Sequence, residues 1–567
     1  MHTAPTLEVK PTSQGWYKLR DKHGACLLLA DELRQIPGCD IVVGDGCLDI
    51  NLPENMLRQV DWTLVPAWVR GVPADDLAAP AQPQLVATAR SLYPHQVEAA
   101  EWLLRVGGGL LADDMGLGKT SAAAAAVETY AQRMAPSRVR LVVGPGNVEG
   151  VWRRELHALG FISHPDAMAA AVGMQAYERN LRGELDSRWL FVPFHLMDKW
   201  LHFTRLNRLG GACAVIVDEA HWAKNPKSQR GRATQVASTL ADFRVLLTGT
   251  PMANRTNELW NVLTALDGAR SWGSNFDFRL RYCGTIHDGY GYRDTGPTHV
   301  DELRKRMARR YLRRTAKSAG LVLPPFRREI HRMEPTEQEL TKFQAGVAKI
   351  EPRRLQQAIS DLRAGAFGKD TLQVMTELRK LTSRLKLRAT AALVEECLEQ
   401  GQSVVVFTWE RATAEKLAQA AAAGPSYLIT GKIPQVDRER SIHDFQHVTG
   451  GALFATLDSI KEGVTLTVAN RVILHDLSWV PSDVLQAEAR VNRIGQTQPV
   501  VATWMLMSHS FDAILVDLLT RKAAEIEKVL DIADAAQALA ATSGLETAKL
   551  DARKLLESWI QHTQGTP

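Results

Sequence analysis

The six cysteines, Cys26, Cys39, Cys47, Cys213, Cys283 and Cys397, are scattered and none forms a C-x-x-C pair. Neither a zinc site nor a disulfide framework is therefore expected, and the thiols read as reduced. No uninterrupted apolar run approaches the ~18 residues that a membrane span needs. The opening MHTAPTLEVK has no basic segment leading into an apolar core, so no secretory signal is expected. Nothing is patterned like a zinc finger, a helix-turn-helix, a bromodomain-type reader or a nuclease constellation, and no solenoid-type repeat is visible. These absences argue against a membrane protein, a secreted disulfide scaffold and a sequence-specific DNA reader. Charge is not extreme either. A net +5 with 23% charged residues permits a polyanionic partner without demanding one.

What is present is ordinary globular material: 567 residues, 45% hydrophobic, enough for three or four domains. Residues 1–85 read as a small accessory domain of mixed or β character. Its CLDINL puts Leu48, Ile50 and Leu52 on one strand face, and Pro73, Pro80 and Pro83 mark a linker. Across 86–270, helical stretches alternate with apolar strands: VRLVVGP, WLFVPF, AVIVDEA and FRVLLTGT. Such strands indicate a parallel sheet covered on both faces, with ligand groups at the strands' carboxyl ends. Residues 271–384 read as helical, strongly charged insertions between lobes. A second alternating block spans 385–530, with SVVVFTW, ALFAT and RVILHD as strands, and 531–567 reads as an alanine-rich helical segment with a frayed tail. The expected fold class is α/β: two doubly wound parallel-sheet lobes with helical insertions and a small N-terminal domain.

Three stretches carry chemistry. LADDMGLGKT ends like the phosphate loop G-x-x-x-x-G-K-[ST], with Asp113 where the first glycine should stand. Gly116 and Gly118 free the backbone to point amides at phosphate oxygens, Lys119 adds charge, and Thr120 can hold Mg²⁺. The helix that follows favours the same anion at its N-terminus. Asp114, Met115, Gly116, Leu117, Gly118, Lys119, Thr120 and Ser121 thus form the candidate nucleotide loop. The two carboxylates do no harm if they point away from the phosphates. About a hundred residues on, AVIVDEAH puts Asp218 and Glu219 at the end of a buried strand, where one can hold a metal and the other activate water. In QAEARVNRIGQ, Arg490 and Arg493 share a helical face and can stabilise charge on a transferring phosphoryl group.

Together with LYPHQVEAAEWLL, LVVGPGNVEGVWRREL, LLTGTPMANRTNELW and YLRRTAKSAGLVLPP, in this order, these motifs make the chain resemble a Swi/Snf-type ATPase of helicase superfamily 2 from about residue 90 to 510. In that family the loop typically reads A-D-x-M-G-x-G-K-T, so Asp113 is the expected residue. The resemblance implies two RecA-like lobes with ATP and Mg²⁺ between them. Gln96 resembles the adenine-reading glutamine, Lys119 and Thr120 the phosphate and metal residues, and Asp218 and Glu219 the metal-associated residue and the base. Thr248, Gly249 and Thr250 resemble the motif coupling nucleotide to DNA. Arg490 and Arg493 resemble arginine fingers, with Gln486 a companion. Gly144, Pro145, Trp152, Lys224, Asn225, Thr250, Trp409, Gly463 and Thr465 fall in or beside segments that contact nucleic acid in relatives, with core packing an equal alternative for Trp152. The fifth segment departs from the family's G-G-x-G followed by L-N-L-T. Here SIKEGVTLTVANRVI keeps Gly463-Val464-Thr465, closer to the annealing-helicase branch, which leaves the role of Glu462 and Thr465 open.

Two basic clusters complete the reading. RKRMARRYLRRTAK carries eight basic residues in fourteen, close to helical spacing, and ELRKLTSRLKLR adds Arg379, Lys380, Arg384, Lys386 and Arg388. Such faces neutralise phosphates without reading sequence. The expectation is a Mg²⁺- and ATP-dependent translocase on double-stranded DNA, cytoplasmic, from a prokaryote or phage, with a protein partner or residues 1–85 supplying targeting. The alternatives are a strand-separating DNA or RNA helicase, for which no wedge element stands out, a motor subunit of a restriction or defence nuclease, and an inactive scaffold.

Overall fold

The computed structural model describes four strands near the N-terminus and residues 84–530, apart from 171–187, 201–211, 365–368, 461–463 and isolated positions. The N-terminal strands β1 (Glu8–Pro11), β2 (Trp16–Asp21), β3 (Asp40–Gly44) and β4 (Cys47–Pro53) form an antiparallel sheet in the order β1-β2-β4-β3. The linker prolines and residues 531–567 lie outside the described residues, as does Gly463.

Lobe 1 is built on strands β5 (Gly108–Leu111), β6 (Arg140–Gly144), β7 (Ala169–Ala170), β8 (Trp189–Pro193), β9 (Ala214–Val217) and β10 (Phe243–Leu247). A hairpin of β11 (Thr285–His287) and β12 (Tyr292–Asp294) stands outside this sheet, and β13 (Tyr311–Leu312) closes it. The sheet is parallel, in the order β13-β5-β10-β9-β6-β8-β7. Strands β5, β6, β8 and β9 are buried at every residue, as continuous apolar runs in a doubly covered sheet require. Register positions the site. Leu111 pairs with Leu247, Leu246 with Val217, and Val217 with Val143. The loops after β5, β10, β9 and β6 therefore leave one sheet edge side by side, which is where open α/β sheets bind ligands.

Lobe 2 has strands β14 (Phe326–Met333), β15 (Val404–Thr408), β16 (Ser426–Ile429), β17 (Ala452–Thr456), β18 (Arg471–Leu474) and β19 (Val500–Met507), parallel in the order β14-β19-β18-β15-β17-β16. Strands β13 and β14 both fall in the stretch expected to be helical insertions. β14 reads FRREIHRM because it is an edge strand with half-exposed charges, and β13 has only two residues, so neither carries an apolar run.

The helix Phe511–Leu530 is shared by both lobes. Phe511, Leu515, Val516 and Leu519 lie in the core of lobe 2. Ile526, Val529 and Leu530 pack with Met252, Leu259, Trp272 and Phe278 of lobe 1. Burying each of those three side chains contributes roughly 1.5–3 kcal/mol. Thr256 and Arg304 of lobe 1 also bond this helix, at Glu525 and at the Val529 carbonyl. Among the described residues no helix is long and apolar enough to cross a membrane.

Candidate functional site

The loop between β5 and the helix Lys119–Met134 turns through two left-handed glycines, Gly116 (φ 85°) and Gly118 (φ 74°). Glycine holds these positions without the penalty a side chain would carry. The loop's two carboxylates do point away from it. Asp113 is 2% exposed and forked onto Arg314, with Nε to Oδ1 at 3.2 Å and Nη2 to Oδ2 at 2.5 Å. Asp114 Oδ1 accepts from Arg313 Nη2 at 2.9 Å. Beneath the loop, His95 Nε2 and Gln96 Nε2 reach the Leu117 carbonyl at 2.8 and 3.3 Å. Lys119 Nζ donates to the Asp113 and Asp114 carbonyls at 2.7 and 3.1 Å. Burial lowers the pKa of its ammonium, against the pull of Glu219, Asp113, Asp114 and Asp218.

Asp218 and Glu219 follow β9 directly. Glu219 holds a left-handed backbone (φ 48°, ψ 50°), a strained conformation of the kind that clusters at functional sites. Asp218 is held at both oxygens. Oδ2 accepts from the indole of the fully buried Trp152 at 2.8 Å, and Oδ1 from the Glu219 amide at 2.9 Å. Burial and the charge of Glu219 push Asp218 up to about 6, against the Trp152 bond. Burial also pushes Glu219 up, but its bond from His221 and the charges of Lys119 and Arg490 outweigh this and leave it below the usual range. His221 Nδ1 lies 3.2 Å from Glu219 Oε2 and 3.0 Å from Thr248 Oγ1. Thr248 Oγ1 also accepts from the Thr250 amide at 3.0 Å. The candidate base is thus wired to the Thr248-Gly249-Thr250 turn, whose Gly249 sits over Met115 and within reach of the Lys119 ammonium.

Lobe 2 closes over this edge. A Cβ added to Gly116 would fall 2.8 Å from Arg493 Cβ, so the second lobe rests on the loop itself. Arg493 Nη1 donates to the Val464 carbonyl at 3.2 Å, and burial, then the nearby Arg490, lowers Arg493 to about 10. Arg490 is 8% exposed and close enough to Glu219 to stabilise its charge. Beside them an interlobe cleft of about 560 Å³ runs between Pro145, His221, Lys224 and Arg230 on one wall and Asp458, Asp483 and Gln486 on the other.

Of the residues expected at the nucleotide, Lys119, Asp218, Glu219, Arg490 and Arg493 meet at this edge and Gln96 lies beneath the loop, while Gln486 lines the neighbouring cleft and Asp114 is turned to Arg313. Ser121 faces away: it is 3% exposed and its hydroxyl is bonded with Glu155 and Arg90. Among the expected DNA contacts, Trp152 is a correction: it is fully buried and serves Asp218. Gly144 is packed against Asp218, and Asn225 shapes a turn by accepting from the Lys227 amide. Lys224 is paired with Glu258 at 2.8 Å. The Thr465 carbonyl accepts from Gln446 at 2.6 Å. Trp409 lies on Arg379, which sits between it and Trp479.

Both basic clusters are corrected in part, since Arg384 and Arg388 of the second stay exposed as do three residues of the first. The helix Val300–Met307 stops before Arg309, and Arg310, Arg313 and Arg314 turn inward onto lobe 1, leaving Lys305, Arg309 and Lys317 exposed. In the helix Lys369–Glu399, Lys386 is fully buried against Asp476 and Asp512, and Arg379 is buried. Sequence reasoning missed Arg90, which has no motif to flag it. It also gave no role to His221, although that residue follows Asp218 and Glu219 within three positions.

Comparison with known proteins identifies the family. The family model described as the SNF2-related domain matches residues 95–387, just over half of the chain, and the helicase conserved C-terminal domain matches 386–495. The SWI/SNF-related matrix-associated actin-dependent regulator of chromatin subfamily A-like protein 1 of Drosophila melanogaster is 24% identical over 465 residues, 81% of this chain and 58% of its own length. The DNA annealing helicase and endonuclease ZRANB3 of Bos taurus is 24% identical over 76% of this chain and 40% of its own length. The chain thus spans about half the length of these curated relatives. Both are animal proteins and lend no support to a prokaryotic or phage origin. The Sulfolobus solfataricus SWI2/SNF2 ATPase core in complex with dsDNA is 22% identical, covering 84% of this chain and 99% of that one with a TM-score of 0.38. With two parallel-sheet lobes and a family match over just over half of its length, the chain belongs to the SNF2-related family.

Proposed function

We propose that the protein is a DNA-dependent ATPase that uses ATP hydrolysis to translocate on double-stranded DNA. The observation that carries this reading is the convergence of Lys119, Glu219, Arg490 and Arg493 from two lobes on one sheet edge. The loop suits a triphosphate: Gly116 and Gly118 hold the left-handed turns that let its amides converge, and its carboxylates are turned away and paired with Arg313 and Arg314. Thr120 and Asp218 supply oxygen donors, which suit Mg²⁺. Bound there, Mg²⁺ would neutralise charge on the phosphate oxygens.

Lys119 must leave the Asp113 and Asp114 carbonyls to meet the phosphates, and Arg493 must lift from Gly116 to admit them. Binding therefore opens the cleft, and closing it restores the arginines. Glu219, kept ionised, accepts the proton of the attacking water as the new oxygen–phosphorus bond forms and the bond to the bridging oxygen breaks. Arg490 and Arg493 place positive charge where the transferring phosphoryl group gathers negative charge. The Glu219–His221–Thr248 connection carries the state of this site to the turn beside the cleft, and lobe motion becomes movement along the duplex.

The test is steady-state hydrolysis with no nucleic acid, single-stranded DNA, duplex DNA, forked DNA and RNA, alongside Lys119→Ala and Arg493→Ala. Stimulation by duplex DNA that both variants lose is the expected result. Stimulation by RNA or single strands alone overturns it in favour of a strand-separating helicase.

A further inference from the structure

On the far side of the phosphate loop lies a second interlobe cavity, of about 340 Å³, that the ATP site does not use. Asp114, whose carboxylate turns away from the loop, stands in its wall with its partner Arg313. Lys119, Asp218, Glu219, Arg490 and Arg493 do not. Lobe 1 contributes Met115 and Met252, lobe 2 Phe326 and Leu485, and the shared helix Phe511–Leu530 contributes Ile526 and Leu530. The connection between the lobes closes one side at Leu323, and its neighbour Val322 is 97% exposed, so that side meets solvent.

The walls define what fits. Those six side chains are apolar, and the charges among them are already matched. Arg313 Nη2 donates to Asp114 Oδ1 at 2.9 Å, and Arg328 Nε and Nη2 donate to Glu488 at 2.9 and 2.6 Å. A charged ligand would lose its hydration here and find no counter-ion. Phe326 offers a ring, with the Arg328 guanidinium 5.0 Å from its centre. Two polar atoms of the wall residues are unmet: among the described residues, Thr250 Oγ1 and Asn492 Oδ1 are buried without a hydrogen-bond partner. Buried polar groups are nearly always paired, so an unmet acceptor marks a place for a donor. A largely apolar cavity of this size between two domains, with a few polar groups converging on it, has the form of a small-molecule site.

Its position gives such a ligand a consequence. Met115 belongs to the phosphate loop. Thr250 belongs to the turn that Thr248 and His221 connect to Glu219. Leu485 and Asn492 lie on the segment that carries Arg490 and Arg493. A molecule held by all three fixes the lobe spacing that each catalytic cycle has to change.

We propose that this cavity is an effector site for an uncharged aromatic small molecule carrying one hydrogen-bond donor, which stops lobe motion without occupying the ATP site. Its effect on turnover rests on the ATPase reading, whereas its occupancy does not. No covalent bond is made or broken.

The test uses the full chain with 2-naphthol as the probe, and naphthalene and 2-naphthoate beside it. Equilibrium dialysis reads binding, and hydrolysis is measured separately. 2-Naphthol should bind, naphthalene should bind about 2- to 10-fold more weakly for want of a donor, and 2-naphthoate should not bind. Asn492→Leu should erase most of the preference for naphthol. Ala316→Phe sets a ring in the cavity and should abolish binding of both. Both variants are checked by melting, and Asn492→Leu decides the matter if Ala316→Phe does not fold. Bound 2-naphthol should lower kcat, and excess ATP should not restore it. Absent binding, undiminished binding to Ala316→Phe, or a preference for naphthoate overturns the site. Binding without loss of turnover overturns the effector role, and relief by ATP overturns it by placing the probe at the nucleotide. An enzyme that hydrolyses no ATP under any condition counts instead against the ATPase reading, and dialysis still decides the cavity.

Discussion

Trp152→Phe offers the sharpest dissection of the hydrolytic site. The indole is fully buried and donates to Asp218 Oδ2 at 2.8 Å, while the other carboxylate oxygen keeps its bond from the Glu219 amide. Phenylalanine keeps most of the ring and removes the donor. A hydrogen bond to a charged group is worth about 1.5–3 kcal/mol. With Asp218 held at one oxygen only, kcat should fall about 10- to 100-fold, at 1.4 kcal/mol per tenfold. The structure supplies its own control. Trp189 is 1% exposed and donates from its indole to Glu128 Oε2 at 2.9 Å. Trp189→Phe therefore removes the same kind of bond from the same lobe, but Glu128 lies about two and a half turns along the helix from Lys119 and is shared with Arg140. Both variants should lose stability in urea by roughly 2–3 kcal/mol, from the bond and the smaller ring. Only Trp152→Phe should lose turnover. Equal losses of kcat would mean that the indole supports packing alone, and wild-type turnover in Trp152→Phe would refute the positioning argument.

Three further expectations follow from the geometry. Gly116→Ala forces a left-handed backbone on alanine, costing about 1–2 kcal/mol, and sets its Cβ against Arg493, so hydrolysis should drop by at least about tenfold; a normal rate would show that the lobes do not meet there during turnover. Arg314→Ala strands the buried Asp113 and should cost about 3–5 kcal/mol in chemical denaturation. It should leave the salt slope of duplex affinity unchanged, whereas a slope smaller by about one would identify Arg314 as a phosphate contact instead. Burial lowers His475 from 6.5 to about 4, so on acidification the unfolded chain binds this proton first. Stability should decline between pH 6.5 and about 4, by roughly 3 kcal/mol at most. In urea titrations His475→Gln should lose that part of the pH dependence, and an unchanged profile would assign it to other groups.

The sheet strands and the nucleotide motifs were legible because doubly buried strands are uninterrupted apolar runs and because chemistry at their ends confines residue choice. Asp113 and Asp114 looked anomalous only in one dimension. Their partners Arg313 and Arg314 lie about two hundred positions away, and pairing at that range leaves no local pattern. The same distance misled the reading of YLRRTAK, where a dense basic run looks like a phosphate-binding face until each guanidinium is matched to its acceptor. Trp152 was ambiguous for a related reason: burial and a link to Asp218 both depend on the register of β6 beside β9. β14 escaped because an edge strand need not be apolar. The hairpin at Tyr292 was invisible because strands of three residues have no periodicity to detect.

The central claim is that two lobes turn ATP hydrolysis into directed motion on an intact duplex. Displacement of a triplex-forming third strand from linear duplex DNA measures this most directly. The account predicts displacement that requires hydrolysable ATP, proceeds without separating the duplex strands, and disappears in Lys119→Ala and Arg493→Ala. Duplex-stimulated hydrolysis without displacement, or displacement only with release of single strands, would contradict it.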